Sequence, residues 1–379
     1  MTKKRYDAID GLRAFSAIGI VIMHVLANGK YELSGFVFSS MIPSFTNLVF
    51  LFMVISGFAM CCGYYDKIIN NELSVGQFYG KRFIKVWPFF ALLCLIDLAV
   101  SPSVNSLYEV FANLTLCFGL LPNANISVIG VGWFLGLVFV FYLIFPFFCY
   151  LISNKKRAWF AFFVALTFNL LCSDYFSIGR SNIMYSAVFF LVGGLIYLYR
   201  DKLEVIADKF RWLVLAVGLA LTVLYYFVGA NVPIMLANFA VFLIYAIGSK
   251  KRKILNNRVT GFLSGISMEI YLCHMVIFRV IEKVGLTHLF GTGVMSYIAT
   301  CIGTIIGAIL FSFIAQKALN YLIKKITDFS NSRKQIKEYA NVKRKKTERY
   351  CNCYISLQRT LHNVQPIQST LKTRGGVVG

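Results

Sequence analysis

Residues 9–29 read IDGLRAFSAIGIVIMHVLANG. A helix needs about 20 largely apolar residues to cross the hydrocarbon of a bilayer, and this run supplies them. Two residues break its apolar character, Arg13 and His24. Their spacing of eleven is close to three turns at about 3.6 residues per turn, so both project from one face, roughly 16 Å apart along the axis. Ionisable groups inside a bilayer are costly and mark function by default. Lys3, Lys4 and Arg5 precede the run in the manner of a signal peptide. It lacks a small-residue cleavage site, so it is expected to stay as a first span.

The rest of the chain repeats this character. Of 379 residues, 58% are hydrophobic, 16% aromatic and only 14% charged, with a mean hydropathy of +0.69. A soluble domain carries about a quarter charged residues, so this composition excludes disorder, collagen-like fibres and small disulfide scaffolds and predicts an all-α polytopic membrane protein. Apolar runs near 12–28, 44–64, 83–100, 130–152, 158–173, 182–199, 212–229, 233–248, 261–281 and 294–323 give ten expected spans. An eleventh run, 107–121, is short and holds Glu109 and Asn113.

Charge decides whether that eleventh run crosses. If it does not, Lys3-Lys4-Arg5, Lys81-Arg82-Lys85, Lys155-Lys156-Arg157, the basic residues of 200–211 and 250–258, and Lys324-Lys325 all face the same side. Lys and Arg in short loops mark the cytoplasmic side. Ten spans with both termini cytoplasmic are therefore expected, with 107–121 an outer re-entrant or interfacial element. The net charge of +22 is then topological rather than a nucleic-acid footprint. Residues 1–323 form the expected transmembrane domain. Residues 324–379, with thirteen Lys/Arg against three Asp/Glu, form a basic cytoplasmic tail suited to anionic lipid. Eight of the ten cysteines lie in apolar runs as small hydrophobes, and Cys351 and Cys353 lack a second Cys/His pair, so no metal is expected. No internal repeat is evident, which weakens an inverted-repeat transporter.

Further polar residues gather at two depths. Arg13 stands at the expected cytoplasmic end, with Arg82 and Lys85 as i, i+3 neighbours at the same mouth, a port for phosphate. His24 is expected near mid-depth, where an imidazole serves as general base at neutral pH. Ser267, Tyr271 and His274 stand at i, i+4 and i+7 in the ninth span, so His274 reaches a similar depth. Ser56-Gly57-Phe58 in the second span offers either close ligand approach or small-residue helix packing. Trp133, Tyr142 and Pro146 read as interface anchors and a kink.

Together these stretches resemble the membrane acyltransferase 3 family. Arg5…Ile9-Asp10-Gly11-Leu12-Arg13-Ala14…His24 is similar to its opening signature, an Arg and a His separated by ten residues. Phe52…Ser56-Gly57-Phe58, Lys81-Arg82-x-x-Lys85-x-x-Pro88, Trp133-x-Leu135…Tyr142-Leu143…Pro146 and Ser267…Tyr271-Leu272-x-His274 follow in the family's order. Two positions depart from the pattern. Val138, Phe139 and Val140 stand where many members carry acidic residues after the Trp, and Lys85 replaces the usual second Arg.

The resemblance implies O-acylation of an extracytoplasmic carbohydrate from cytosolic acyl-CoA, most often acetyl-CoA, at the plasma or inner membrane of a bacterial-type cell. It assigns donor binding to Arg13, Arg82 and Lys85 and catalysis to His24, either as general base or as a transient carrier of the acyl group, with Asp10 orienting Arg13. Ser56, Trp133, Tyr271 and His274 fall on the acceptor side. Acyl-CoA, the glycan acceptor and membrane lipid are the expected partners, without nucleic acid or a permanently bound cofactor. Two other classes remain: a transporter or flippase of the same carbohydrate, and a structural or sensory membrane protein.

Overall fold

The computed structural model describes residues 5–100, 102–120, 130–229, 231–249 and 252–362. Lys3 and Lys4, Leu121, Lys250 and Lys251, and residues 363–379 of the tail lie outside them, as do the side chains of Cys117, Cys351 and Cys353. The described elements are helical, and the only β-type pairing among them is an isolated bridge between Leu289 and Gly291.

In chain order the helices are α1 (Ala8–Asn28), α2 (Val37–Ile69), α3 (Val75–Val100), α4 (Val104–Leu114), α5 (Trp133–Ile152), α6 (Lys155–Tyr175) and α7 (Ile183–Leu198). They continue with α8 (Arg200–Lys209), α9 (Arg211–Val228), α10 (Val232–Ile247), α11 (Arg258–Gly265), α12 (Ser267–Lys283) and α13 (Val294–His362). Seven are long and apolar enough to cross a membrane, or nine if each of two bent pairs, α7 with α8 and α11 with α12, counts as one span. The remaining expected span, the eighth in chain order, falls on α10, a shorter apolar helix. The α4 segment has 11 residues, about 16 Å of helix, well short of the hydrocarbon thickness.

Local chemistry sets the helix starts. Asparagine side chains cap four helices by accepting from early backbone N–H groups: Asn154 on α6, Asn182 on α7, Asn231 on α10 and Asn257 on α11. The third span begins eight residues earlier than the apolar run suggested, because Val75–Ile84 continues the helix on its polar end. Pro88 therefore sits inside α3 instead of opening it, where its missing N–H leaves a gap in the ladder.

The chain forms two compact units, Met1–Gln316 and Lys317–Gly379. In the first, α2 and α7 are the most closely packed pair. Gly57 and Gly193 make that possible. A Cβ on Gly57 would meet the Phe190 carbonyl, and one on Gly193 would meet the Val54 carbonyl and the Phe58 N–H. Lipid offers no hydrophobic drive between helices, so such close backbone approach and dispersion hold the bundle. Stacked rings add to it: Phe50 on Phe189 at 4.3 Å and Phe141 on Phe190 at 4.6 Å. By contrast α9 exposes most of its surface, Trp212 and Phe227 included, as a lipid-facing helix does. Within the second unit, the described chain is helical to His362.

Candidate active site

The first helix and α12 bring two histidines together. His274 is fully buried and His24 half-buried, and their ring centroids lie 4.9 Å apart. Backbone carbonyls only accept, so His274 Nδ1 carries the proton it donates to Tyr271 O at 2.6 Å, with Ile270 O at 3.3 Å. A neutral His274 then presents the lone pair of Nε2, 3.2 Å from His24 Nδ1. His24 Nδ1 also donates to Ile20 O at 3.0 Å. Both contacts of His24 Nδ1 require a proton there, which leaves Nε2 as its basic nitrogen. His24 stands one turn before the end of α1.

At the other end of α1, cations converge. Arg13, Arg82 and Lys85 lie within electrostatic reach of one another. Arg82 donates to the Tyr64 hydroxyl, and its guanidinium lies 4.5 Å from the centre of the Tyr64 ring and 5.7 Å from that of Tyr142. Tyr142 is thus part of this mouth, not an interface anchor; α5 turns it inward among the cations. Asp10 accepts from Arg5 at 3.1 Å and from Ser264 Oγ at 2.8 Å, and forms a longer ion pair of 3.9 Å with Arg13. Gly11 lets α1 lie against the chain at Leu255, where a Cβ would stand 2.5 Å from backbone atoms.

Phe134 joins Tyr271 and Trp133 beside the dyad. Tyr271 Oη donates to Val131 O at 2.9 Å, and its ring meets Phe134 edge-on at 5.3 Å. Trp133 opens α5 and carries the guanidinium of Arg180 4.9 Å from its ring centre. Ser267 spends its hydroxyl on Ser264 O, closing the bend between α11 and α12. Ser56 is half-buried on α2 beside Gly57, and no described contact joins it to the dyad.

Two charged residues escaped the sequence reading. Glu269 lies within the ninth apolar run, faces Lys85 and accepts from Gln316 at 3.2 Å. An acid inside a span is a signal in itself. Arg180 lies in the short connection before α7; a lone arginine on the side opposite the basic loops is the cue that was available. Among the described residues no group of three or more His, Cys, Asp or Glu gathers as a metal site, and seven cysteines carry free thiols.

A helical membrane bundle whose first helix carries one member of a cationic mouth near one end and one member of a histidine pair near the other defines a class of polytopic membrane protein built around a buried polar site. The family model described as "Acyltransferase domain" matches residues 6–313, and the chain belongs to the acyltransferase 3 family. It is thereby an acyltransferase by family. No curated protein and no solved structure matches the chain.

Proposed function

We propose that the protein is a membrane-bound O-acyltransferase. It moves an acetyl or other acyl group from cytosolic acyl-CoA to a hydroxyl of an extracytoplasmic carbohydrate, either a surface polysaccharide or a lipid-linked glycan. In this reading ten spans, with both termini in the cytoplasm, place the donor mouth inside and the acceptor outside, in the inner or plasma membrane. The observation that carries it is α1 itself, which has the Arg13 cluster at one end and the His24–His274 pair near the other.

The acyl-CoA phosphates would rest on Arg13, Arg82 and Lys85, whose forks and point charge suit phosphate oxygens. Asp10 and Glu269 partly offset that cluster, which limits its self-repulsion while the mouth is empty. The pantetheine arm would follow α1 and bring the thioester to His24. His24 Nε2 takes the proton of the sugar hydroxyl as the oxygen attacks the thioester carbon, and returns it to the departing thiolate of coenzyme A. His274, through His24 Nδ1, holds the ring in the tautomer this requires. Trp133 and Tyr271 fall on the acceptor side, where a tryptophan face suits a sugar ring.

The test combines two measurements. Purified protein given radiolabelled acetyl-CoA should release free coenzyme A thiol in the presence of acceptor membranes. Mass spectrometry of surface glycans from cells with and without the gene should show an acetyl-sized difference. A carrier of the same glycan would move it and release no thiol.

A further inference from the structure

Several cations of this bundle have a carboxylate within reach. Arg13 has Asp10 at 3.9 Å, Arg252 has Asp208 at 3.3 Å, and Lys85 faces Glu269. Arg180 differs. Among the described residues no carboxylate pairs with it, and the ionisable side chains within electrostatic reach of it are Tyr271, Tyr185 and His24. An uncompensated, largely desolvated cation is expensive to keep.

The surroundings fix Arg180 in place. Its two terminal nitrogens donate to Thr46, Nη1 to Oγ1 at 2.8 Å and Nη2 to the carbonyl at 2.9 Å. Its guanidinium lies over Trp133 at 4.9 Å and Phe50 at 5.7 Å. A guanidinium has five N–H donors, so these bonds leave three. One of them, Nε–H, is shut off from solvent with no acceptor.

Arg180 is also joined to the dyad through packed rings. From Trp133 the path runs to Phe134 at 6.0 Å, to Tyr271 at 5.3 Å and to His274 at 6.0 Å. His24 itself lies within reach of the Arg180 charge. The mouth cations sit at the opposite end of α1, whereas the Arg180 charge reaches the histidine end.

We propose that Arg180 is a further catalytic residue, whose held guanidinium receives the oxyanion formed when the acceptor oxygen attacks the thioester carbonyl. The inference rests on the acyl-transfer reading. As the new C–O bond forms, the carbonyl π pair moves to oxygen and the hydroxyl proton goes to His24 Nε2. The oxyanion then reforms the carbonyl, the C–S bond breaks, and the thiolate takes the proton from His24. Negative charge exists on that oxygen only midway, and a donor fixed beforehand needs no reorganisation to meet it. Thr46 and Trp133 supply that fixing.

The test uses the full-length protein in permeabilised membranes of the producing cell, which hold the native acceptor. Thiol release from acetyl-CoA is followed with acceptor, and the slower hydrolysis to acetate is followed in purified protein without it. Arg180→Gln is expected to lower both rates about 10²-fold, the usual loss when one oxyanion donor is removed. Donor affinity, read with a non-hydrolysable thioether analogue of acetyl-CoA, should stay within about twofold on the same basis of a group that acts only in the transition state. Arg180→Lys keeps the charge without the two-point grip and should fall in between. Should Arg180→Gln fail to fold, Arg180→Ala with added guanidinium ion replaces it, and recovery of rate is expected.

Several results would overturn the proposal. One is Arg180→Gln with unchanged thiol release. Another is a loss confined to acceptor affinity with hydrolysis intact, which would make Arg180 an anchor for a fixed acidic group on the glycan. Absence of guanidinium rescue in a folded Arg180→Ala protein counts equally against it. Wild-type protein that releases no thiol from any acyl-CoA would refute the acyl-transfer reading itself, whatever Arg180 does.

Discussion

His274 Nε2 lies 3.2 Å from His24 Nδ1, although 250 residues separate the two in sequence. The pair is directional. Carbonyls of Ile270 and Tyr271 hold the proton of His274 on Nδ1, and this in turn assigns the proton of His24 to its own Nδ1. A buried histidine that does no more than set its neighbour's tautomer leaves a distinct kinetic trace. His274→Ala is expected to lower kcat about 10²-fold while the donor KM stays within a few fold, because general-base catalysis supplies about 10²–10⁴ in rate. His24→Ala should lose more, down to background. Steady-state kinetics on both variants checks this, and equal losses in kcat and donor affinity for His274→Ala would count against the positioning role.

The cationic mouth predicts a different division. Arg13→Ala and Arg82→Ala should each weaken acyl-CoA binding about tenfold or more, since a hydrogen bond to a charged group contributes about 1.5–3 kcal/mol. His24→Ala should leave that binding measurable and nearly unchanged. Titration calorimetry with acetyl-CoA separates the two sets. The affinity should also fall as salt rises, because the mouth is partly open to water, with 31% of the Arg13 side chain exposed. If His24→Ala and Arg13→Ala lose donor binding alike, the separation of roles along α1 is wrong.

Much of this site was legible before any coordinates. Arg13 and His24 share a helix, so a period of 3.6 placed them on one face, and charge in short loops put Arg82 and Lys85 at the same mouth. That His274 lies level with His24 followed from counting along its apolar run, although the hydrogen bond between them did not. What periodicity misses is contact between helices distant in sequence. Tyr142 looked like an interface residue because α5 is apolar all round, and only packing shows that it faces Arg82. Likewise Arg180 sits in a connection, where no period applies, and its grip on Thr46 joins elements 134 residues apart. The start of α3 lies beyond what an apolar run can mark, because a helix that leaves the membrane keeps its backbone hydrogen bonds while its side chains turn polar.

Gly11 gives a stability prediction. Its missing side chain lets α1 rest on the backbone at Leu255, and backbone cannot swing aside as a side chain can. Gly11→Ala should therefore cost about 1–3 kcal/mol through overpacking, despite the higher helix propensity of alanine. Because Asp10 and Arg13 flank the contact, the same change should shift the mouth and weaken acyl-CoA binding. Thermal unfolding in detergent, alongside donor titration, measures both. A stabilised Gly11→Ala protein would mean that the α1–Leu255 contact is looser than described.

The Ser56-Gly57-Phe58 triplet allows its two readings to be separated. If Gly57 exists for helix packing, its partner is Gly193, and the Val54 and Phe190 carbonyls at the crossing leave no room for a Cβ on either side. Gly57→Val and Gly193→Val should each destabilise the protein by a similar amount of about 1–3 kcal/mol, the range for forcing extra carbons into a packed contact. Their double variant should cost less than the sum, because the first intrusion already separates the helices. Ser56→Ala, by contrast, should leave melting temperature and thiol release within about twofold of wild type, as surface-like changes away from a packed contact do. A Ser56→Ala protein that melts normally yet loses acceptor turnover would reverse the conclusion: the serine would then touch the sugar, and the glycine's role in packing would be only half of what the triplet does.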